Sequence, residues 1–206
     1  MTAIRFDRER VLDASGALFA ARGFDGTSFR DITAATGAKR SLLLYHFTSK
    51  EELWRLAMKR VVARLDDAMA ERGLPPAASP DAEKIARSLR TYIDSLVAVP
   101  EYGQILLREG VTAGPRLDWL VANFIPAFAF NFVLQNQSAA ARVRSTMLRD
   151  MVIGAPLFAT ALGPLLEAST AAASHIPNAG IHPMSTARRD ELIDLLVPLM
   201  LGTEPS

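Results

Sequence analysis

Residues 27–53 predict two short helices joined by a glycine turn, and this motif constrains the fold more than any other stretch of the chain. Ser28 has a side chain that commonly caps a helix, and Asp31 follows three residues later, at the spacing of a capping box. Gly37 predicts the end of the first helix, because glycine adopts the left-handed turn conformation at the lowest cost. A helix, a tight turn and a second helix are the sequence form of a helix-turn-helix, whose second helix enters the major groove of DNA.

The second predicted helix opens with two adjacent cations and continues with side chains that can form hydrogen bonds. Arginine can bond guanine O6 and N7 together, so Arg40 is the first candidate for reading a base. Lys50 begins the next helix, where free backbone N–H groups also favour a phosphate. Leu43 and Phe47 are assigned to the core, and His46 has two equal alternatives, a phosphate contact and a packing role. The DNA-contact candidates are Thr27, Ser28, Lys39, Arg40, Ser41, Tyr45, His46 and Lys50.

A longer series of residues continues on both sides of this motif with one regular spacing. It comprises Arg8, Val11, Leu12, Ala14, Leu18, Phe19, Gly23, Phe24, Thr27, Ser28, Asp31, Ile32, Gly37, 44–47 and 49–51. In this order, over about the first sixty residues, the series resembles the TetR (tetracycline-repressor-like) family of bacterial transcription regulators. Two positions depart from the commonest family pattern. Thr33 stands where a smaller alanine is usual, and Leu44 stands where tyrosine is frequent, which leaves any phosphate contact there to Tyr45.

This resemblance implies a DNA-binding domain at residues 5–65, with its helix-turn-helix at 28–47, and an effector-binding and dimerisation domain at 66–206. It also implies a repressor that binds a palindromic operator as a homodimer and is released by a small, largely apolar effector. No cofactor is expected. The alternative function is a helical DNA-binding or interaction protein without a small-molecule switch.

The distribution of charge agrees with a nucleic-acid partner for the N-terminal part. The whole chain has a net charge of only +1, but residues 1–65 contain 12 Lys and Arg against 7 Asp and Glu. Residues 66–206 contain 11 against 15, so the larger part is mildly acidic. A basic small unit followed by an acidic larger one suits a DNA reader whose second domain has a different task.

The rest of the chain has helical periodicity, and no segment alternates in the pattern of a strand. The predicted fold class is therefore all-α, with an N-terminal three-helix helix-turn-helix domain followed by a larger helical ligand-binding and dimerisation domain. Helices are predicted at 50–72, 81–99, 101–111 and 186–201. A further helix at 139–173 is expected to be strained or interrupted at 154–156 and again at 163–164, where glycine and proline occur together.

Aromatic residues are concentrated between residues 119 and 132, with two asparagines among them. Apolar walls with a few polar groups are typical of small-molecule pockets, although each aromatic taken singly is more often plain core. The resemblance, which implies an effector pocket in the second domain, favours a pocket for the group. Arg108, Glu109 and Arg116 supply polar contacts to a ligand or, equally, form ordinary surface or interhelical pairs. The ligand candidates are Tyr92, Arg108, Trp119, Asn123, Phe124, Phe128 and Asn131.

The last predicted helix, 186–201, has leucine and isoleucine on more of its faces than a single core-facing stripe requires. Pairing it with residues 147–166 across a two-fold axis would form a four-helix interface, so a homodimer through the C-terminal helices is expected. The alternative is a helix buried within its own subunit.

Several other classes of function lack their residues in this sequence. There is no cysteine, which excludes disulfides, zinc fingers and thiol catalysis. His175 and His182 have no paired carboxylate or metal-ligand spacing, so neither catalysis nor a metal site is expected. The N-terminal residues lack the apolar core of a signal peptide, and 121–134 is too short and too polar to span a bilayer. We therefore expect a cytoplasmic protein without membrane contact.

Overall fold

The computed structural model describes residues 6–73, 75–124, 136–143, 146–172 and 184–203, and every regular element in these ranges is an α-helix. The all-α fold class predicted from the sequence is thereby confirmed. In chain order the helices are α1 (Arg8–Arg22), α2 (Phe29–Thr36), α3 (Arg40–His46), α4 (Lys50–Arg72), α5 (Asp81–Ala98), α6 (Pro100–Glu109), α7 (Pro115–Asn123), α8 (Gln137–Val143), α9 (Thr146–Ala161), α10 (Gly163–Ala172) and α11 (Thr186–Leu201).

The chain divides into two compact units. The first contains Met1–Asp66 together with Glu101–Pro126, and the second contains Asp67–Pro100 together with Ala127–Ser206. This grouping adds α6 and α7 to the N-terminal segment that the sequence assigns to DNA binding. The helix-turn-helix therefore shares its compact unit with helices that come much later in the chain.

Local signals set the bounds of α2. The Ser28 hydroxyl accepts a hydrogen bond from the Asp31 N–H, and the Asp31 carboxylate accepts one from the Ser28 N–H, which completes the predicted capping box. The helix is followed by Gly37, whose φ of 71° lies in the left-handed region. A Cβ on Gly37 would meet nothing within 4 Å, so the backbone conformation and not crowding favours glycine there.

The first unit buries an apolar core that receives side chains from the helix-turn-helix. Leu43 and Phe47, which the sequence assigns to the core, are both 0% exposed, as is Trp54 on α4. Helices α1 and α4 approach closely at Gly16, where an added Cβ would lie 3.0 Å from Val61 Cγ2. Helix α3, the second helix of the helix-turn-helix, is therefore held in place by side chains that pack in the core of the unit.

In the second unit, α5 packs against both α9 and α11. Arg189 on α11 donates from one nitrogen to both carboxylate oxygens of Asp94 on α5, at 2.8 and 2.9 Å. Arg90 on α5 lies 3.4 Å from Asp190 on α11, so the ion pairs run in both directions between these helices. Apolar residues of both helices, such as Leu89 on α5 and Ile193 on α11, are buried.

Most predicted helix bounds agree with the observed ones. Helices α4 and α11 have the predicted bounds, and α5 ends at Ala98 where 99 was expected. Of the two alternatives expected at 154–156, the interruption is wrong, because α9 continues through Pro156, and strain there stays a prediction. Since proline has no N–H, this helix continues with one backbone hydrogen bond fewer. The break expected at 163–164 is confirmed one residue earlier, because α9 ends at Ala161 and α10 begins at Gly163.

Removing the cap of α2 is expected to destabilise the first unit in a pH-dependent way. Ser28→Ala should lower the free energy of unfolding by about 1 kcal/mol at neutral pH, because it removes the N-cap hydrogen bond. Hydrogen bonds from Ser28 hold the pKa of the Asp31 carboxyl below its usual value. A carboxyl with a lowered folded-state pKa stabilises the fold above its unfolded pKa, and this contribution is lost as the pH falls through the folded value.

Urea unfolding of the wild type and of Ser28→Ala at pH 7 and at about pH 3 measures this effect, because Asp residues titrate near pH 4 when unfolded. The difference in the free energy of unfolding between the wild type and Ser28→Ala should be smaller at the lower pH. A difference that is the same at both pH values would contradict the coupling of Ser28 to Asp31.

Candidate nucleic-acid interface

One face of α3 projects predicted DNA-contact side chains into solvent. Lys39 is the N-cap residue and makes no side-chain cap hydrogen bond, and Arg40 and Ser41 follow as exposed residues of the first turn. Tyr45, four residues after Ser41 and so on the same helix face, is 81% exposed. We call Lys39, Arg40, Ser41 and Tyr45 the recognition surface. It offers two cations at the amino end of α3 and a phenol near the carboxyl end.

The opposite side of α3 is held by buried and stacked side chains. Leu43 lies in the core, and His46 stacks on Phe6 with ring centroids 4.0 Å apart and an interplanar angle of 7°. This stacking gives His46 a packing role, and a phosphate contact from its exposed ring stays a prediction. Phe6 was missed by the sequence analysis. Its only signal is an aromatic residue directly before Asp7, the N-cap of α1.

Three of the predicted contact residues form bonds inside the unit. Thr27 is 1% exposed, and its hydroxyl donates to two backbone carbonyls, so this side chain faces the interior and not the expected DNA side. Ser28 is exposed, but its hydroxyl and its N–H both bond the Asp31 carboxylate. The Lys50 ammonium donates to the carbonyls of Phe24 and Thr27, at 2.9 and 3.1 Å. These bonds stabilise the motif, and DNA contacts from Ser28 and Lys50 stay predictions.

The recognition surface is cationic because α3 contains no acidic residue. On α2, the carboxylate of Asp31 is already bound by Ser28 and by Arg22, whose Nη1 lies 2.9 Å from it. These contacts neutralise the carboxylate of α2 and leave the charges of Lys39 and Arg40 uncompensated within the motif. An exposed helix face of this kind suits the phosphate backbone of DNA.

The predicted ligand residues are divided between the two units. Arg108 on α6 and Trp119, Asn123 and Phe124 at α7 belong to the first unit, whereas Tyr92 on α5 belongs to the second. Phe128 and Asn131 lie outside the described residues.

In the first unit, the aromatic candidates pack against other rings. Phe124 is 0% exposed and stacks on Tyr102, with ring centroids 4.8 Å apart. Trp119 is half-buried and meets the fully buried Trp54 edge-on, with centroids 5.3 Å apart. Asn123 is exposed and donates to the Trp119 carbonyl at 2.9 Å. Of these side chains, Trp119 combines a large apolar surface with partial exposure.

The two remaining candidates differ in their surroundings. Arg108 donates to the backbone carbonyls of Ala20 and Ala21, at 3.1 and 2.9 Å, which matches the interhelical alternative left open by the sequence. Tyr92 is 7% exposed, and burial raises the pKa of its phenol above the ordinary value.

The second unit contains a cleft of about 370 Å³ with a charged lining that includes none of the predicted ligand residues. It is lined by Arg72, Glu83, Ala86, Arg87, Arg90, Thr91 and Asp94. Within the described ranges, no three His, Cys, Asp or Glu side chains are grouped so that they could hold a metal ion. No helix among those ranges is both long enough and apolar enough to cross a membrane.

Comparison with known proteins points to one family. Residues 11–57 match the profile of the bacterial regulatory proteins of the tetR family. Over 59 residues the chain is 42% identical to the HTH-type transcriptional repressor ComR of Escherichia coli K12, a stretch that covers 29% of this chain and 28% of ComR. The chain thus aligns with less than a third of the length of that relative.

Two solved structures share the fold along nearly the whole chain. A TetR-like transcriptional regulator from Rhodococcus sp. RHA1 matches with a TM-score of 0.59 at 21% identity, covering 96% of this chain and 97% of that one. FadR from Bacillus subtilis, in complex with stearoyl-CoA, matches with a TM-score of 0.57 at 13% identity, covering 93% and 98%. Residues 11–57 thus match the tetR family of bacterial regulatory proteins, and the helical fold of the chain is similar to that of TetR-like regulators.

Proposed function

We propose that this chain is a transcriptional repressor that binds a palindromic operator as a homodimer and is released by a small, largely apolar effector. The observation that carries the proposal is the recognition surface, which presents two cations, a serine and an 81%-exposed tyrosine on a helix whose other side is buried. The similarity of the N-terminal segment to the repressor ComR supports the same function.

The residues of the recognition surface have different proposed roles. Arg40 reads a guanine, because its planar guanidinium can donate to O6 and N7 together. Lys39, Ser41 and Tyr45 bond phosphates or flanking base edges, which fixes the position and register of α3 in the major groove. The small area of one such helix supplies few contacts, so specificity needs two copies on two half-sites.

Arg40 is expected to contribute to sequence specificity. Arg40→Ala should weaken operator binding by about 1–3 kcal/mol and relax specificity at one base pair per half-site. The measurement is fluorescence anisotropy on an operator first located by footprinting of the adjacent intergenic DNA. Arg87→Ala, which removes an exposed arginine from α5 of the second unit, is the matched control and should bind as the wild type does. Equal affinities for Arg40→Ala and the wild type would show that α3 does not read the operator.

Exposed apolar side chains on α9 and α11 support the proposed homodimer. On α9, Met151 is 50% and Phe158 46% exposed; on α11, Leu195 is 52% and Leu199 42% exposed. The same α11 buries Ile193 against its own unit, so it is apolar on more than one face. Large apolar residues that are exposed together on two helices are typical of an interface with another chain. A two-fold pairing of these helices would cover them on both subunits.

The homodimer should depend on the exposed leucines of α11. The double variant Leu195→Glu/Leu199→Glu should be monomeric at micromolar concentration, because it places four charges in each proposed two-fold interface. Analytical ultracentrifugation should find the wild type at twice the chain mass of 22.4 kDa. Val121→Glu, at a residue of α7 that is 59% exposed in the first unit, is the control and should leave the dimer intact. A wild type that sediments as a monomer would refute the proposal.

The proposed effector acts through the aromatic side chains of α7. Trp119 is half-buried and Phe124 is buried beside Tyr102, so this region offers the apolar surface that such a ligand requires. FadR, which shares the fold, binds stearoyl-CoA, and this supports an acyl chain as the first effector class to test. Release of DNA requires that the effector favour a conformation in which the two recognition helices no longer match half-sites about 34–36 Å apart.

Effector binding should quench or shift the fluorescence of Trp119. Stearoyl-CoA and free fatty acids of decreasing length are the first probes, each followed by operator binding in its presence. A coupling of about 1–3 kcal/mol would lower operator affinity roughly 5- to 150-fold. Trp119→Phe, which leaves Trp54 in place, should lose the optical signal. A probe that binds tightly and leaves operator affinity unchanged would favour the alternative, a DNA-binding protein without a switch.

A further inference from the structure

The turn between α1 and α2, residues 23–28, is held by side chains that lie far away in the sequence. It precedes the helix-turn-helix directly, and it determines how α2 leaves α1. Side chains of α6 and α7 reach this turn from within the same compact unit. We call the contacts of Arg108, Glu109 and Arg116 with residues 20–25 the turn clamp.

Arg108 secures the end of α1. Its Nε and Nη2 donate to the carbonyls of Ala20 and Ala21, at 3.1 and 2.9 Å. The last carbonyls of a helix have no partner within the helix, so a guanidinium satisfies them and also complements the negative end of the helix dipole. Gly23 has a φ of 74°, and a Cβ there would lie 3.1 Å from Arg108 Cδ. Glycine therefore both permits the backbone conformation and lets Arg108 pass close to the chain.

Glu109 connects the turn to α7. It is 8% exposed, and both of its carboxylate oxygens are used. One accepts from the Phe24 N–H at 3.3 Å, and the other accepts from Arg116 Nε at 3.0 Å. Arg116 also lies 3.6 Å from the carboxylate of Asp25 in the turn. The hydrogen bond that Arg116 donates to Glu109 raises the pKa of the Arg116 guanidinium above its ordinary value.

The ring of Phe24 lies against two cations. Lys50 Nζ is 4.2 Å and Arg116 Cζ is 4.6 Å from the ring centroid, both within the range of a cation–π contact. The Lys50 ammonium also donates a hydrogen bond to the Phe24 carbonyl, at 2.9 Å. The N–H, the carbonyl and the ring of Phe24 are therefore all bonded by charged groups from α4, α6 and α7.

We propose that Arg108, Glu109 and Arg116 are positioning residues for DNA recognition: they hold the α1–α2 turn and thereby the angle at which α2 and α3 are presented to DNA. This inference rests on the proposed function. A surface turn without such contacts belongs to the least stable part of a structure, because few apolar contacts restrain its backbone. Displacement of the turn moves α2, which packs directly on both α1 and α3. The DNA-reading geometry thus depends on residues more than sixty positions beyond α3.

A second ion pair on α6 provides a matched control. Glu101 lies 3.2 Å from Arg64 on α4, and its side chain is 16% exposed, so this pair also joins α6 to the first unit. It makes no bond to the α1–α2 turn. If the turn clamp contributed only to overall stability, loss of either pair would affect DNA binding alike.

The test is a double-mutant cycle of Glu109→Gln, Arg116→Gln and the combined variant in the full-length protein, read by operator affinity, melting temperature and hydrogen exchange of the Phe24 amide. Each single variant should lose operator affinity by roughly tenfold, in keeping with the loss of a charge-assisted hydrogen bond. The combined variant should lose little more operator affinity than either single variant, because the two partners act together.

Hydrogen exchange of the Phe24 amide should be faster in the two single variants and in the combined variant than in the wild type. Glu101→Gln should lower the melting temperature and leave both operator affinity and Phe24 exchange within about twofold of the wild type.

Unchanged operator affinity in the cycle variants, or an equal loss in Glu101→Gln, would overturn the inference. Arg108→Lys keeps the charge and cannot bond both carbonyls as a fork, so it provides a milder variant should Glu109→Gln fail to fold. Arg108→Lys should bind the operator more weakly than the wild type while its circular dichroism spectrum stays that of the folded protein. Wild-type operator affinity in this variant would contradict the turn clamp. A wild type that binds no duplex would instead refute the proposed function itself, which distinguishes that failure from failure of the clamp.

Discussion

The burial of Leu43 and Phe47 is the interaction on which the recognition surface depends. Helix α3 has seven residues, and a helix of this length is not stable alone in water, because too few hydrogen bonds offset the cost of nucleation. Both side chains are 0% exposed, so the core supplies the stability that the helix lacks. Their burial also determines which side of α3 faces solvent. The exposure of Arg40 and Tyr45 follows from the same contacts that hold the helix in place.

Sequence reasoning succeeded where the physical cause is local. The capping box of Ser28, the left-handed Gly37 and the bounds of α4 each depend on residues within a few positions, and each can be seen in the chain. It failed at Thr27, whose hydroxyl is turned inward by carbonyls that only the folded turn brings near. The hydrogen bond from the Phe24 N–H to the Glu109 carboxylate joins residues 85 positions apart, and no periodicity indicates such a pair.

The same contrast explains the charged residues near the motif. From sequence, Lys50 is a cation at a helix start and therefore a phosphate candidate. In the folded unit, its ammonium is 4.2 Å from the Phe24 ring and bonds two carbonyls, so part of its hydrogen-bonding capacity is used internally. Lys39 and Arg40 have no such competition, because α3 offers them no acidic neighbour. The residue type alone does not show which role a cation has. A cation with internal hydrogen-bond partners, such as Lys50, stabilises the motif, whereas Lys39 and Arg40 are available for the proposed DNA contacts.

The aromatic contacts of the first unit offer a route from α7 to the DNA-reading elements. Trp119 meets Trp54 with ring centroids 5.3 Å apart, and Trp54 meets Phe24 edge-on at 6.3 Å. Phe24 belongs to the turn that precedes α2, where Arg116 of α7 also lies on its ring. Because packed interiors have few voids, a ligand that displaces the half-buried Trp119 must shift the fully buried Trp54 or strain its contacts. The displacement would then reach the turn through Phe24, so the proposed effector would need no change in α3 itself to alter the angle at which α3 is presented to DNA.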